Sequence, residues 1–291
     1  MKILTINTHS LVEKNYLQKL DQFAAVTAKE QPDVIAMQEV NQSMAADLAA
    51  WADMDGYVRC KDNEVPVRAD NHVMQAAKRL RTHGAAYSWT WLPGKVGYGK
   101  YDEGMAILVK EGLSLEETDS FYISHSRDYQ NWKTRKILGV KCSGQWFYTV
   151  HMGWWDDAQE PFQDQWEQLS ARLDERKKEG RIWLLGDFNS PAQVRGQGYD
   201  RILEAGWTDT YREAVKKDGG VTVEGVIDGW RELLEPGEPA EGMRIDHIWC
   251  SQKAPVQESR VIFNGENGPV ISDHFGVMIY VSDEKEGAEK R

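Results

Sequence analysis

The chain has no long apolar run, no paired cysteines and no excess of positive charge. None of its 291 residues falls in a stretch approaching the roughly 20 apolar residues that a membrane-spanning helix needs. The opening segment MKILTINTHS has too short an apolar part for a secretory leader, and Asn7 and His9 interrupt it. Cys60, Cys142 and Cys250 are odd in number and far apart, with no CxxC pair, which argues against a disulfide framework and a zinc knot. The expectation is a reduced, cytoplasmic protein. Lys and Arg total 35 against 46 Asp and Glu, a net charge of −11. Such a chain repels a phosphate backbone and gains little from counterion release, so nucleic acid is the less natural partner. The basic cluster KRLRTHG, Lys78–Gly84, reads as a solvated helix face. There is no apolar hairpin for a lipid surface, no sign of an obligate protein partner, no internal repeat, no linker and no shift in composition. One domain over residues 1–281 is expected, with 282–291 a charged, disordered tail.

What remains is an ordinary globular composition, 41% apolar and 28% charged, long enough for a sizeable core. Twelve Trp are many, and suggest stacking surfaces as well as core. KILTINT, DVIAMQEV, AYSWTWLP, GMAILVK, ILGVK, QWFYTVH, RIWLLG, RIDHIWCS, SRVIFN and GVMIYV read as strands. AYSWTWLP, alternating aromatic and small polar residues, suits an exposed or ligand-facing strand. Helices are expected over YLQKLDQFAAVTAKE, with Leu17, Leu20, Ala24 and Thr27 as its stripe, over MAADLAAWA with Ser43 as N-cap, and over VMQAAKRL, residues 160–178 and YDRILEAG. Residues 60–72 and the polar stretch Asp218–Gly242 read as loops. Several strand pairs lie back to back, which favours mixed sheets over a doubly wound parallel sheet.

Strand after strand ends in residues suited to holding a metal or moving a proton. Asn7 closes the first and Glu39 the second; Glu103 precedes GMAILVK; His151 ends QWFYTVH; Asp187 and Asn189 follow RIWLLG; Asp246 lies in RIDHIW; Asp273 and His274 are adjacent in ISDHFG. Glu39, Asp273 and Asn7 are hard oxygen donors, suited to Mg²⁺ or Mn²⁺ rather than zinc. A His beside a carboxylate makes an oriented acid–base pair. Asp187 can orient or deprotonate a water, and Asn189 can donate to a developing oxyanion. A divalent cation, an imidazolium and an oriented water together are equipment for hydrolysing a phosphate ester.

In this order MQEV, DEGMAIL, GDFNSP, RIDHIW and SDHFGV resemble the motif series of the endonuclease/exonuclease/phosphatase superfamily, the DNase I-like hydrolases, from Asn7 to Val277. The resemblance implies a four-layer αββα sandwich, two mixed β-sheets packed face to face with helices outside and the active site at one end. It implies Glu39 as principal metal ligand with Asn7 and Asp273 nearby, and Asp187 on the attacking water. Asn189 would contact the phosphate, and His274, oriented by Asp246, would stabilise its charge. His151 would pair with Glu103, and Arg135 in KTRKIL stands where many members carry a phosphate-facing Arg.

The superfamily covers nucleases, phosphodiesterases acting on lipid head groups, and small-molecule phosphatases, so fold alone does not name the substrate. HMGWWDDAQEPFQDQW places Trp154 and Trp155 directly after His151, and YSWTWLPGKVGYGKYDEG brings Trp89, Trp91, Tyr98 and Tyr101 up to Glu103. These segments, with INTHS, are similar to a bacterial subgroup that contains maltose 6'-phosphate phosphatases. The resemblance implies a metal-dependent sugar-phosphate phosphatase, with a nuclease or other phosphodiesterase as the alternative.

Overall fold

The computed structural model describes residues 1–225 and 242–282. Most of the polar stretch read as a loop after Asp218, and the charged tail from residue 283 on, lie outside the described residues. Thirteen strands are present among them: β1 (Lys2–Asn7), β2 (Val34–Ser43), β3 (Tyr87–Gly97), β4 (Tyr101–Lys110), β5 (Leu115–Tyr122), β6 (Lys136–Cys142), β7 (Gln145–His151), β8 (Ile182–Asp187), β9 (Thr208–Asp209), β10 (Lys216–Lys217), β11 (Asp246–Cys250), β12 (Val256–Ile262) and β13 (Gly276–Val281). The helices are α1 (Tyr16–Glu30), α2 (His72–Thr82), α3 (Phe162–Arg176), α4 (Gly198–Glu204) and α5 (Thr210–Glu213).

The strands form two mixed sheets, one in the order β10-β12-β13-β1-β2-β4-β3 and the other β5-β6-β7-β8-β11-β9. They pack face to face with helices outside, the four-layer sandwich expected. Side-chain alternation along each strand builds the layers. In β1, Leu4 and Ile6 join Leu20, Phe23 and Ala24 of α1 and Val73, Ala76 and Leu80 of α2, while Ile3 points into the layer between the sheets. In β8, Ile182 and Leu184 pack with Phe162, Leu169 and Leu173 of α3, while Trp183 and Leu185 face inward with Phe147, Ile107 and Ile279. The inner layer is apolar through most of its length and turns polar at one end, where Thr5, Gln38 and Thr149 are all buried.

The structure departs from the sequence expectations in several places, and adds the short β9, β10 and α5, which were not expected. MAADLAAWA is not a helix. β2 continues to Ser43, because Asn41, Gln42 and Ser43 pair with Glu103, Asp102 and Tyr101 of β4. The Ser43 N–H is held by both oxygens of Asp70 at 3.1 and 3.2 Å. Helix propensity is overridden because the segment has little apolar face to bury: Leu48 and Trp51 are 64% and 83% exposed. Leu17 is likewise exposed, and the buried face of α1 is Leu20, Phe23, Ala24, Thr27 and Ala28. β5 was not expected: LEETDSFY is a largely polar edge strand with no apolar alternation to betray it. Trp89 and Trp91 do not face a ligand. Both are fully buried in the core under α2, donating their indole N–H groups to the carbonyls of Asp55 (2.9 Å) and Val40 (3.0 Å). The basic stretch of α2 lies on the helix surface, where the structure adds ion pairs from Lys78 to Asp53, Arg79 to Asp21 and Arg81 to Asp55.

The bond from Trp91 lands on the residue after Glu39, at a β-bulge. Met37 pairs with Ala106 and Val40 with Gly104, so Gln38 and Glu39 together oppose the single Met105. Trp91→Phe is expected to lower stability by about 1–3 kcal/mol, by leaving the buried Val40 carbonyl without its donor. Trp91→Ala is expected to cost about 3–5 kcal/mol through the cavity it leaves. Chemical denaturation of both variants measures this; unchanged midpoints would contradict the core placement.

Candidate active site

Chain direction gathers the polar residues. β1 runs parallel to β2, and β7 parallel to β8, so Asn7, Glu39, His151 and Asp187 all come at or near carboxyl ends. β11 is antiparallel to β8 and β13 to β1, so the start of β11 and the turn before β13 reach the same end. The register sets Asp246 directly across from Asp187, and His151 beside it on the other flank. The result is a cleft of about 310 Å³ lined by Glu39, Glu103, Arg135, His151, Trp154, Asp187, Asn189, Asp273 and His274, all expected, and by His9, Lys95, Tyr98 and Trp132.

Asp187 is the centre of the hydrogen-bond pattern. Its Oδ1 accepts from the Asn189 N–H at 2.8 Å, and its Oδ2 from Asn7 Nδ2 at 3.2 Å. Both imidazole Nε2 atoms approach that same Oδ2, His151 at 3.7 Å and His274 at 3.8 Å. Burial and the neighbouring Asp246 charge lift the Asp187 carboxyl to about 6 in spite of His274. His274 Nδ1 lies 2.9 Å from Asp246 Oδ2, the orienting pair expected. Burial works against the imidazolium, but Asp246 and Asp187 outweigh it and push its pKa up to about 10. The two histidines thus differ in charge state. His151 is held well below the usual imidazole range by burial and by the positive charges of Arg135, Lys95 and His274.

The expected His151–Glu103 pair is not what the structure builds. His151 turns to Asp187, and Glu103 Oε1 takes Lys95 Nζ at 3.0 Å. The reason lies in the hairpin of β3 and β4, whose register places Lys95 directly opposite Glu103 and supplies a full opposite charge. Asn189, in the left-handed region at φ 46°, donates its amide to the Met152 carbonyl at 2.9 Å, which fixes the turn out of β8. Arg135 is buried and lines the cleft, donating Nη1 to the carbonyls of Trp132 and Thr134 at 3.0 and 3.3 Å. Trp154 lines the cleft against Trp132. Trp155 does not line it. Its ring packs on Phe162 of α3, 6.1 Å between centres, because the turn after β7 sends alternate residues to opposite sides.

The donors able to hold a cation are oxygens. Glu39 projects from the bulge with φ 52°, and burial followed by the charges of Glu103 and Asp273 raises it to about 7. A carboxylate crowded by like charges, in a cleft without cysteine, fits a hard divalent cation. Asn7 presents its amide nitrogen to Glu39 at 2.9 Å and its oxygen to the His9 N–H at 3.3 Å, so as placed it bridges carboxylates rather than offering an oxygen. His9, Glu13 and Asp273 converge closely enough to hold an ion, as do Asp187, Asp246 and His274. The second group is already joined internally by the His274–Asp246 bond. His9 bonds Glu13 through Nδ1 at 2.7 Å and Tyr98 Oη through Nε2 at 3.0 Å. Burial opposes its charge, but Glu13, Asp273 and Glu39 raise it to about 9.

His9, Lys95 and Trp132 were not foreseen. The signal for Lys95 was hairpin register, which needs the turn position; His9 and Trp132 lie in connections without periodicity.

Solved structures share this architecture. An endonuclease/exonuclease/phosphatase family protein from Leptotrichia buccalis is 30% identical with a TM-score of 0.82, covering 97% of this chain and 100% of its own. The mannosyl-6-phosphatase Bt3783 of Bacteroides thetaiotaomicron is 16% identical with a TM-score of 0.65, covering 97% and 100%. Truncated TDP2 from Caenorhabditis elegans is 16% identical with a TM-score of 0.60, covering 97% of each chain. No curated protein matches. Residues 4–274 match the model of the Endonuclease/Exonuclease/phosphatase family, and with the site geometry just described the chain belongs to that family.

Proposed function

We infer that this phosphoester hydrolase is a divalent-metal-dependent phosphomonoesterase acting on a phosphorylated sugar. One observation carries the reading: a single cleft is lined both by phosphate-handling groups and by aromatic rings. His9, Lys95, Arg135 and His274 put four basic side chains around it, which suits a dianionic terminal phosphate better than the single charge of a diester. Trp154, Trp132 and Tyr98 offer ring faces to an uncharged leaving group. The Bacteroides likeness concerns the fold alone, and it is the lining of the cleft that supports a sugar phosphate.

In the mechanism, a water oxygen attacks phosphorus, the bond to the sugar oxygen breaks, and inorganic phosphate and the free sugar leave. Asp187, held through both oxygens, orients that water and takes its proton. The His274 imidazolium, fixed by Asp246, donates to a non-bridging oxygen as charge builds there. His151, kept neutral beside Asp187, can take from Asp187 the proton that came from the water and hand it to the departing oxygen. Glu39 and Asp273 would hold Mg²⁺ or Mn²⁺, which when bound supplies positive charge for the phosphate oxygens.

Turnover is expected to cease in excess EDTA and to return with Mg²⁺. Glu39→Gln should remove most activity with an unchanged melting curve; full turnover in EDTA would refute the metal assignment.

Asp187→Asn and His274→Ala should each lower kcat by roughly a hundredfold or more. Asp246→Asn should cost less than loss of His274, since it only orients the ring. Near wild-type kcat for His274→Ala would break this assignment of roles.

A panel of hexose and disaccharide 6-phosphates, nucleotides and plasmid DNA tests the substrate class. Trp154→Ala should lower kcat/KM for the sugar phosphate about 5- to 100-fold relative to glycerol 3-phosphate, chiefly through KM. Trp155→Ala should instead lower the melting temperature and both activities together. Preference for plasmid DNA would favour the nuclease.

A further inference from the structure

The aromatic lining of the cleft has a member that belongs to no strand. Trp132 lies in the connection between β5 and β6, is 52% exposed, and lines the cleft beside Trp154, with ring centres 5.7 Å apart and planes at 57°. Core packing does not account for an indole in that position. Its backbone, by contrast, is tightly held. The Trp132 carbonyl accepts from Lys95 Nζ at 2.9 Å and from Arg135 Nη1 at 3.0 Å, and both of these cations line the same cleft. The segment just before it is fastened to the β3–β4 hairpin. The Val96 N–H donates to the Tyr129 carbonyl at 2.7 Å, and the Tyr129 hydroxyl donates to Asp102 Oδ1 at 2.7 Å. The Asn131 N–H bonds the Asp128 carbonyl at 3.1 Å, and the Thr134 N–H the Asn131 carbonyl at 3.0 Å, closing two turns around the ring. Lys133 Nζ lies 5.4 Å from the Trp132 ring centre and is itself anchored to Asp157 Oδ2 at 2.7 Å.

We propose that Trp132 is a specificity-determining residue: with Trp154 it forms a fixed stacking wall for the ring of the substrate, and the hydrogen bonds at its carbonyl set that wall at a constant distance from Lys95 and Arg135. This rests on the sugar-phosphate reading above. The cleft then reads two features together. Lys95 and Arg135 attract the phosphate, and the wall accepts a ring only when the link between ring and phosphate has the matching length. A backbone already held in place leaves only the indole's own rotamers to order on binding, so more of the stacking contact appears as affinity. The contact is remote from phosphorus and is made equally in ground and transition states, so it acts on KM.

The test is steady-state kinetics of wild type, Trp132→Ala and Trp132→Phe on glucose 6-phosphate, glucose 1-phosphate and ringless glycerol 3-phosphate, with a melting curve for each protein. Trp132→Ala is expected to lower kcat/KM for the preferred glucose phosphate about tenfold relative to glycerol 3-phosphate, through KM, and to narrow the preference between the two glucose phosphates. Trp132→Phe, which keeps a ring face, should recover most of both. An equal loss on ringed and ringless esters with a lowered melting temperature would show a purely structural loop residue and overturn the proposal. So would an unchanged ratio in Trp132→Ala. Wild type that turns over no hexose or disaccharide phosphate, while hydrolysing another ester, would overturn the sugar reading itself, and that outcome is read before any variant is made.

Discussion

The hydrogen bonds of Gln38 across the sandwich are the constraint on which the site depends. Gln38 belongs to one sheet, and its Nε2 reaches Thr149 Oγ1 of the other at 2.8 Å and Thr5 Oγ1 of its own at 3.2 Å. These atoms are fully buried, in a layer that is otherwise apolar, and a polar group there is costly unless paired. Pairing fixes how the sheets meet at this end. One residue further along, the bulge turns Glu39 out of the strand alternation, and two residues beyond Thr149 lies His151. The pairing within the core therefore sets the spacing of groups in the cleft.

Past that layer Asn7 repeats the crossing. Its amide spans Glu39 on its own sheet and Asp187 on the other. Two carboxylates that repel each other are thus joined by one neutral donor, and the remaining charge imbalance is met by His274, Lys95 and Arg135. Burial raises the cost of charge here, which is why Asp187 and Glu39 are displaced upward, while His274 holds its proton because the charges of Asp246 and Asp187 outweigh its burial. The electrostatics that would strain a structural core are what a phosphate-hydrolysing site requires: an oriented carboxylate, a retained imidazolium and oxygen donors for a cation.

The cleft also joins two kinds of support. The residues proposed for the chemistry stand at strand ends or, like Asp273 and His274, in the turn just before a strand, where register holds them. The aromatic groups stand on connections, where position depends on hydrogen bonds such as those at the Trp132 carbonyl. Rigid strand ends suit chemistry shared across a family, and connections suit the contacts that differ between substrates.

The order of strand-end residues was legible in the sequence because each adjoins a strongly apolar run, and that pattern with its motifs was enough for the fold and for most residues lining the cleft, though not for His9, Lys95 and Trp132. Trp183 and Leu185 share one parity in β8 with Asp187, so the alternation that turns the two apolar side chains into the inner layer also carries Asp187 to that side. Other features depended on contacts between distant segments. MAADLAAWA has helical propensity, yet β4 and Asp70 hold the residues just before it, up to Ser43, in a strand. The motif resemblance set His151 beside Glu103, but the β3–β4 register gives Glu103 to Lys95, and His151 faces Asp187 instead. Trp154 and Trp155 are neighbours with the same chemistry, and nothing local separates them; the docking of α3 takes one ring into the core and leaves the other in the cleft. Local sequence determined which residue types stand at the strand ends, because periodicity is a property of neighbours. Which of them share a proton or face a substrate was decided by sheet register and helix packing, which arise from residues far apart in the chain.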